Sequence, residues 1–396
     1  MRSFSRLATL ALALLLAAPA AAQDVKFSGQ VRPRYESRDV GEAARDGFTS
    51  MRVRTALQAV VDSGLTIFVQ VQDVRLWGEE SSTLGDFRAD NFDVHQAYIR
   101  FRGQRMEWLT ATVGRQETNF GGQRLVGAVG WTQQGRSFDG ARLDLVGDRG
   151  AVSLVAYTLA DATSATHDAD AELFGAYATI REVGPGALDL YLLYDRGDGA
   201  DATDQQTFGV RYAFGRNAVS GRFEASAQRG DRGGESVSAY MFGGRLGASF
   251  GEGRGSATLW YDQLSGDDEL TDDETRVFST LYATNHKFYG FADLFLDVPA
   301  HTAGAGLRDA ALKASWTLAD GVTLGADLHR LSAVEQRSLS TTHFADELDV
   351  TLSHRYSANL GVTAGLSYVS VGDALTEIGR LADNMTWAYV MFDAAF

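Results

Sequence analysis

The feature that most constrains this chain is a recurrent run of about ten residues in which every second side chain is apolar, repeated from Asp24 onward with turn residues between the runs. A strand has a side-chain period of two, so each run carries one apolar row and one polar row. In the first run Val25, Phe27, Val31 and Tyr35 stand opposite Lys26, Ser28, Gln30, Arg32 and Arg34. Met51, Val53 and Leu57 then oppose Arg52, Arg54 and Gln58, and Ala97, Ile99 and Phe101 oppose Gln96, Arg100 and Arg102. Ala141, Leu143 and Leu145 oppose Arg142 and Asp144, and Phe208, Val210 and Tyr212 oppose Arg211. Phe223, Ala225 and Ala227 oppose Arg222, Glu224 and Gln228. The apolar rows hold almost no charge, as a lipid-facing wall requires, because an Arg or Lys at mid-bilayer on such a face costs about 2–4 kcal/mol. A soluble sandwich also has one apolar face per strand. Two features weigh against it: the chain offers roughly 16–18 strands in one series, and no segment of helical period is available to cover open sheet edges. The expected fold is all-β: an antiparallel up-and-down barrel of roughly 16–18 strands, with apolar rows outward and polar rows lining water.

Both ends of the chain agree with that reading. Arg2 and Arg6 precede an apolar run over 7–16 and small residues at Ala20, Ala21 and Ala22. This is the pattern of a secretory signal peptide, so residues 1–22 are expected to be cleaved, leaving 23–396 as a single barrel domain. At the other end Ala388, Val390, Phe392, Ala394 and Phe396 share one face. That segment resembles the closing strand of bacterial outer-membrane barrels, which the barrel assembly machinery reads. It implies an outer-membrane location, with membrane lipid and lipopolysaccharide as surroundings. The chain has no cysteine, which excludes disulfides and thiolate metal sites.

Formal net charge is −15, and −17 without Arg2 and Arg6, so a nucleic-acid footprint is absent. Lysine occurs only at 26, 287 and 313, so nearly every cation is arginine. Arg32, Arg34, Arg52, Arg54, Arg100, Arg102, Arg142, Arg211 and Arg222 all fall on polar rows. Rings of arginine select anions by field and by bidentate contact with carboxylate or phosphate. The competing reading is a ladder of ion pairs that stiffens the wall, as Glu224 beside Arg222 and Asp144 beside Arg142 suggest. The acidic stretches at 267–269 and 272–274 read first as solvated loops. Asp267, Asp268, Asp272 and Asp273 are also a weak candidate for a divalent cation bridging to lipopolysaccharide. No G-x-S-x-G or H-E-x-x-H motif occurs, and the seven histidines are scattered, so neither an enzyme nor a cofactor is expected.

One stretch exceeds general barrel grammar. Gly114-Arg115-Gln116 is followed by Asn119-Phe120-Gly121, Gln123-Arg124-Leu125-Val126-Gly127 and Trp131-Thr132-Gln133-Gln134-Gly135-Arg136-Ser137-Phe138-Asp139-Gly140. This block resembles the alginate export family of outer-membrane porins, and so does His286-Lys287-Phe288-Tyr289-Gly290-Phe291-Ala292-Asp293-Leu294-Phe295. The resemblance implies a monomeric barrel with a constricted, arginine-rich pore for passive export of alginate or passage of related anions. Within the matching blocks it carries Arg115, Arg124, Arg136 and Lys287 into the pore-lining set. A structural or adhesive barrel with a plugged lumen is the alternative. Whether 119–135 or 77–91 folds inward bears on the choice.

Overall fold

Alternation along the chain becomes a wall because each strand finds an antiparallel neighbour on both sides. The computed structural model describes residues 24–41, 46–79, 92–164, 168–199 and 202–396. The expected leader at 1–22, His167 and most of the 77–91 connector lie outside the described residues. The strands are β1 (Asp24–Val40), β2 (Asp46–Val60), β3 (Leu65–Leu76), β4 (Phe92–Arg102), β5 (Leu109–Gln116), β6 (Phe138–Gly147), β7 (Gly150–Ala160), β8 (Ala171–Val183), β9 (Gly186–Gly197) and β10 (Thr203–Arg216). They continue as β11 (Val219–Arg232), β12 (Glu235–Phe250), β13 (Gly255–Leu264), β14 (Glu274–Thr275), β15 (Leu307–Ala319), β16 (Val322–Ser332), β17 (His343–Arg355), β18 (Leu360–Val371) and β19 (Met385–Ala395). The two-residue β14 pairs in parallel with the start of β12, where β13 does not reach. The other 18 pair in sequence order, and β19 pairs with β1 to close the barrel, at the upper end of the expected range.

Closure includes Phe396. Its N–H and C=O exchange hydrogen bonds with Gly29, each at 3.0 Å. The Phe396 ring covers Gly29 so closely that a Cβ there would lie 2.3 Å from a ring carbon. Apolar side chains of the outward row recur around the barrel, with Phe27, Ile99, Phe223, Leu259, Leu328 and Phe392 among its exposed members. Trp108 and Trp316 mark one rim and Tyr368 the other, as expected for interface anchors. Connectors at the rim that holds Asp24 span two to six residues, whereas most at the opposite rim are longer. Short turns mark the periplasmic side.

Two long connectors occupy the lumen. The β5–β6 connector and the β13–β15 connector pair with each other through a parallel bridge between Val126 and Tyr282. Supporting bonds run from Tyr282 N–H to Leu125 O at 2.8 Å and from Thr284 N–H to Gln123 O at 2.9 Å. Their apolar side chains, including Phe120, Leu125, Val126, Phe288 and Phe295, pack with the inward residues Tyr157, Leu173, Leu193 and Met241 into one buried cluster. The sequence signal for strands says nothing of this core, because its halves lie in segments without periodicity. A glycine pair sits where the first connector leaves the wall. Gly114 and Gly140 face each other in register with φ of 125° and 150°. A Cβ on either would lie 2.3 Å and 2.1 Å from backbone carbonyl oxygens of the next strands, so only glycine fits.

Candidate functional site in the barrel lumen

Strand alternation brings Arg32 and Arg34 of β1 and Arg52 and Arg54 of β2 to the inner surface, where all four are buried. They hold the β5–β6 connector by its backbone. Arg32 donates through Nη1 to Gly130 O at 2.8 Å and through Nη2 to Trp131 O and Thr132 O at 3.0 and 2.8 Å. Its Nε reaches Gln133 Oε1 at 3.0 Å. Arg34 donates to Trp131 O at 2.7 Å, Arg52 to Thr132 O at 3.2 Å, and Arg54 to Gln134 O at 3.0 Å. Trp131 is packed between the Arg34 guanidinium, 4.2 Å above the ring, and a parallel His286 ring at 4.2 Å. His286 in turn bonds Asp293 at 2.7 Å. Trp131 thus packs the connector inside the barrel.

A second assembly lies across the lumen. Arg124, wholly buried, donates to Asp262 at 2.7 Å and to the Tyr289 hydroxyl at 3.0 Å, with Glu224 at 3.5 Å. Its guanidinium stacks 4.1 Å over Phe288. Burial by itself would lower the pKa of Arg124, but Asp262, Tyr289 and Glu224 outweigh it and raise that pKa, so the group stays charged. Arg222 shares the same carboxylates, 3.6 Å from both Glu224 and Asp262. Breaking such a buried network on one side costs about 3–5 kcal/mol. A third assembly docks the β13–β15 connector: the N–H groups of Ala292 and Phe291 donate to Glu347 at 2.8 Å and Asp349 at 3.2 Å. One connector thus offers carbonyls to arginines and the other offers amides to carboxylates.

The remaining arginines divide. Among the nine assigned to polar rows, Arg34, Arg54, Arg102, Arg142, Arg211 and Arg222 form ion pairs, so the ladder reading holds for these six. Arg102 pairs with Glu107 at the periplasmic rim, away from the connectors. Arg115 departs from the expected lumen row. In register it shares the row of Val113 and Ala141 and bonds Asp139 at 2.6 Å, because the alternation through Gly114 puts odd residues of β5 outward. Arg136 bonds the carbonyls of Gly127 and Ala283, and burial lowers its pKa while Tyr282 opposes that shift. Arg100 bonds only Thr112 and Tyr98, and Lys287 and Arg245 make no ion pair among the described residues. These three are exposed. Burial and the charge of Arg245 both lower the Lys287 pKa. Sequence patterning missed Arg245 because Gly244 interrupts the apolar row beside it and Gly243 and Gly247 flank it on its own row, although Arg245 lies directly across from Arg222.

The candidate cation site is corrected. Asp267, Asp268 and Asp272 converge with Glu274 on the Arg276 guanidinium at 3.3, 3.8, 2.8 and 2.6 Å. An arginine fills the centre of the acidic cluster, and Asp273 joins the backbone pairing to Ser236 instead. Among the described residues no group of three or more His, Asp or Glu is arranged to hold a metal. A bulge between β3 and β4 turns His95 inward, where it bonds Glu117 at 2.7 Å. Burial raises the Glu117 pKa, but bonding to His95 and the charges of His95, Arg54 and Arg52 lower it overall. Beside this pair is a polar hollow of about 390 Å³ bordered by Gln72, Asp93, Gln134 and Ser137. A larger hollow of about 670 Å³ is bordered by Phe223, Phe242, Leu259 and Tyr261, which belong to the outward row, so it opens toward lipid and not toward the passage.

Comparison with known proteins agrees with this construction. The family model described as Alginate export matches residues 23–388. No curated protein sequence matches the chain. Among solved structures, Pseudomonas aeruginosa OccK3 (OpdO) superposes with a TM-score of 0.65 at 14% identity, covering 95% of this chain and 96% of that one. P. aeruginosa OpdK with vanillate gives a TM-score of 0.65 at 12% identity, covering 95% and 99%. P. aeruginosa OprD gives 0.65 at 9% identity, covering 95% and 94%. At such identities the likeness is one of fold, and the family match covers nearly the whole chain. The chain belongs to the alginate export family and is an outer-membrane barrel of porin type.

Proposed function

We propose that the protein is a passive channel for anionic solutes, with acidic saccharides of the alginate kind as the fitting class. The observation that carries this reading is how charge is distributed between buried and wet surfaces of the lumen. Asp189, Glu224, Asp262, Asp309, Glu347 and Asp349 face inward but are buried. Arg100, Arg245 and Lys287 are exposed and lack carboxylate partners among the described residues. At these three positions a solute therefore meets unpaired positive charge, although the whole chain is acidic. Family membership supports the same reading. The fold neighbour OpdK is described with vanillate, a carboxylate, which agrees in charge class.

The test is the reversal potential of the reconstituted protein in a planar bilayer under a salt gradient. Anion preference is the expected result, and cation preference overturns the proposal. A sealed barrel with a structural or adhesive role is the second reading, favoured by the two connectors packed in the lumen. Absence of any conductance would support it.

A further inference from the structure

Arg32 and Arg52 are direct cross-strand neighbours on the inner face of β1 and β2, and both are buried. Like charges directly opposite each other on a sheet repel, and burial weakens the screening. Arg34 and Arg54 beside them have counter-ions in Glu36 and Glu117. Arg32 and Arg52 have no carboxylate partner among the described residues and bond only amide oxygens. For Arg32 these are Gln133 Oε1 and the carbonyls of Gly130, Trp131 and Thr132. For Arg52 they are Gln30 Oε1 and the carbonyls of Thr132 and Gln133. These acceptors satisfy the geometry of the guanidinium forks but are neutral. Asp393 acts on both charges, and Glu117 on Arg52, only through space, so the pair lacks a bonded counter-ion at a place covered by the inner connector.

We propose that the Arg32–Arg52 pair is a latent oxyanion site, in which the carbonyls of residues 130–133 stand where the oxygens of a multivalent carboxylate would bind, and that such a solute displaces the connector and widens the passage. The inference rests on the anion reading of the lumen and adds how the channel responds to its solute. Guanidinium bonds to carboxylate are roughly twice as strong as bonds to neutral acceptors and form in bidentate pairs. Replacing carbonyl by carboxylate is therefore favourable at each fork. One carboxylate is not enough, because the connector is also tied by Arg34, Arg54 and the stacked Trp131. A chain with a carboxylate on every ring supplies several replacements at high effective concentration. Coupling is reciprocal: the solute favours the released connector, and release favours the solute.

The experiment measures amide hydrogen exchange across residues 128–136 in the full chain held in lipid nanodiscs, with and without polygalacturonate, galacturonate monomer and inorganic tripolyphosphate. Polygalacturonate is expected to accelerate exchange there by about tenfold, and the monomer far less. Acceleration by tripolyphosphate as well assigns the effect to oxyanion charge in general and supports the site. Arg52→Gln should speed exchange without solute and blunt the response, whereas Arg149→Gln, in the exposed turn between β6 and β7, should leave the response intact. If Arg52→Gln does not assemble, Arg52→Lys, which keeps the charge and loses the fork, serves in its place. Unchanged exchange at polygalacturonate concentrations that reduce the anion current overturns the proposal while leaving the channel reading in force. Cation preference in the bilayer removes the channel reading by itself.

Discussion

Lys287 and Arg32 show what one basic residue can do in two different settings. Arg32 is buried and bonded to three connector carbonyls and to Gln133, so it positions a connector. Lys287 is exposed near Arg245, and both its partial burial and that neighbour lower its pKa. Its proton is therefore lost at lower pH than that of a free lysine. The sign follows: the cationic form, and the anion preference it supports, is present below the lowered value and declines as pH rises through it. Anion preference should fall on the alkaline side in the wild type, while Lys287→Arg, charged throughout, should keep it over the same interval. Reversal potentials measured across that interval check this, and identical profiles for the two proteins would remove Lys287 from the selecting set.

At the scale of the strand, the outward row is governed by lipid and the inward row by whatever the lumen holds. Leu328 lies outward in the middle of β16, between Leu312 and Leu348 in the neighbouring strands. Leu328→Arg is expected to destabilise the barrel by about 2–4 kcal/mol, read from equilibrium unfolding in lipid vesicles. The same change at the adjacent inward residue Asp327 would not test this, because Asp327 meets Lys313 in the lumen at 2.9 Å. The faces of the strands were legible in the sequence because period-two alternation is local and the lipid penalty is uniform. It placed Arg32, Arg52, Arg142 and Arg222 correctly on inner rows. It failed where local geometry breaks the rhythm. The bulge at His95 changes which residues face inward, Arg115 follows the outward row, and glycines hide Arg245.

For the whole molecule, the decisive fact is that an 18-strand wall encloses a partly filled lumen. The β5–β6 connector contributes both apolar packing and the carbonyls that engage four arginines. Shortening residues 128–136 to a minimal turn should raise single-channel conductance severalfold while leaving the wall assembled. Unchanged conductance would show that the connector does not narrow the passage. The amino-acid sequence by itself determined that this chain becomes a closed barrel with cations on its inner rows. Pattern and lipid solvation act residue by residue, so they need no knowledge of the final fold. Only the tertiary structure decided which cations stay free for a solute. Their partners come from distant segments, as Gln133 does for Arg32 across 101 residues, and such pairings exist only once closure has brought both to one space.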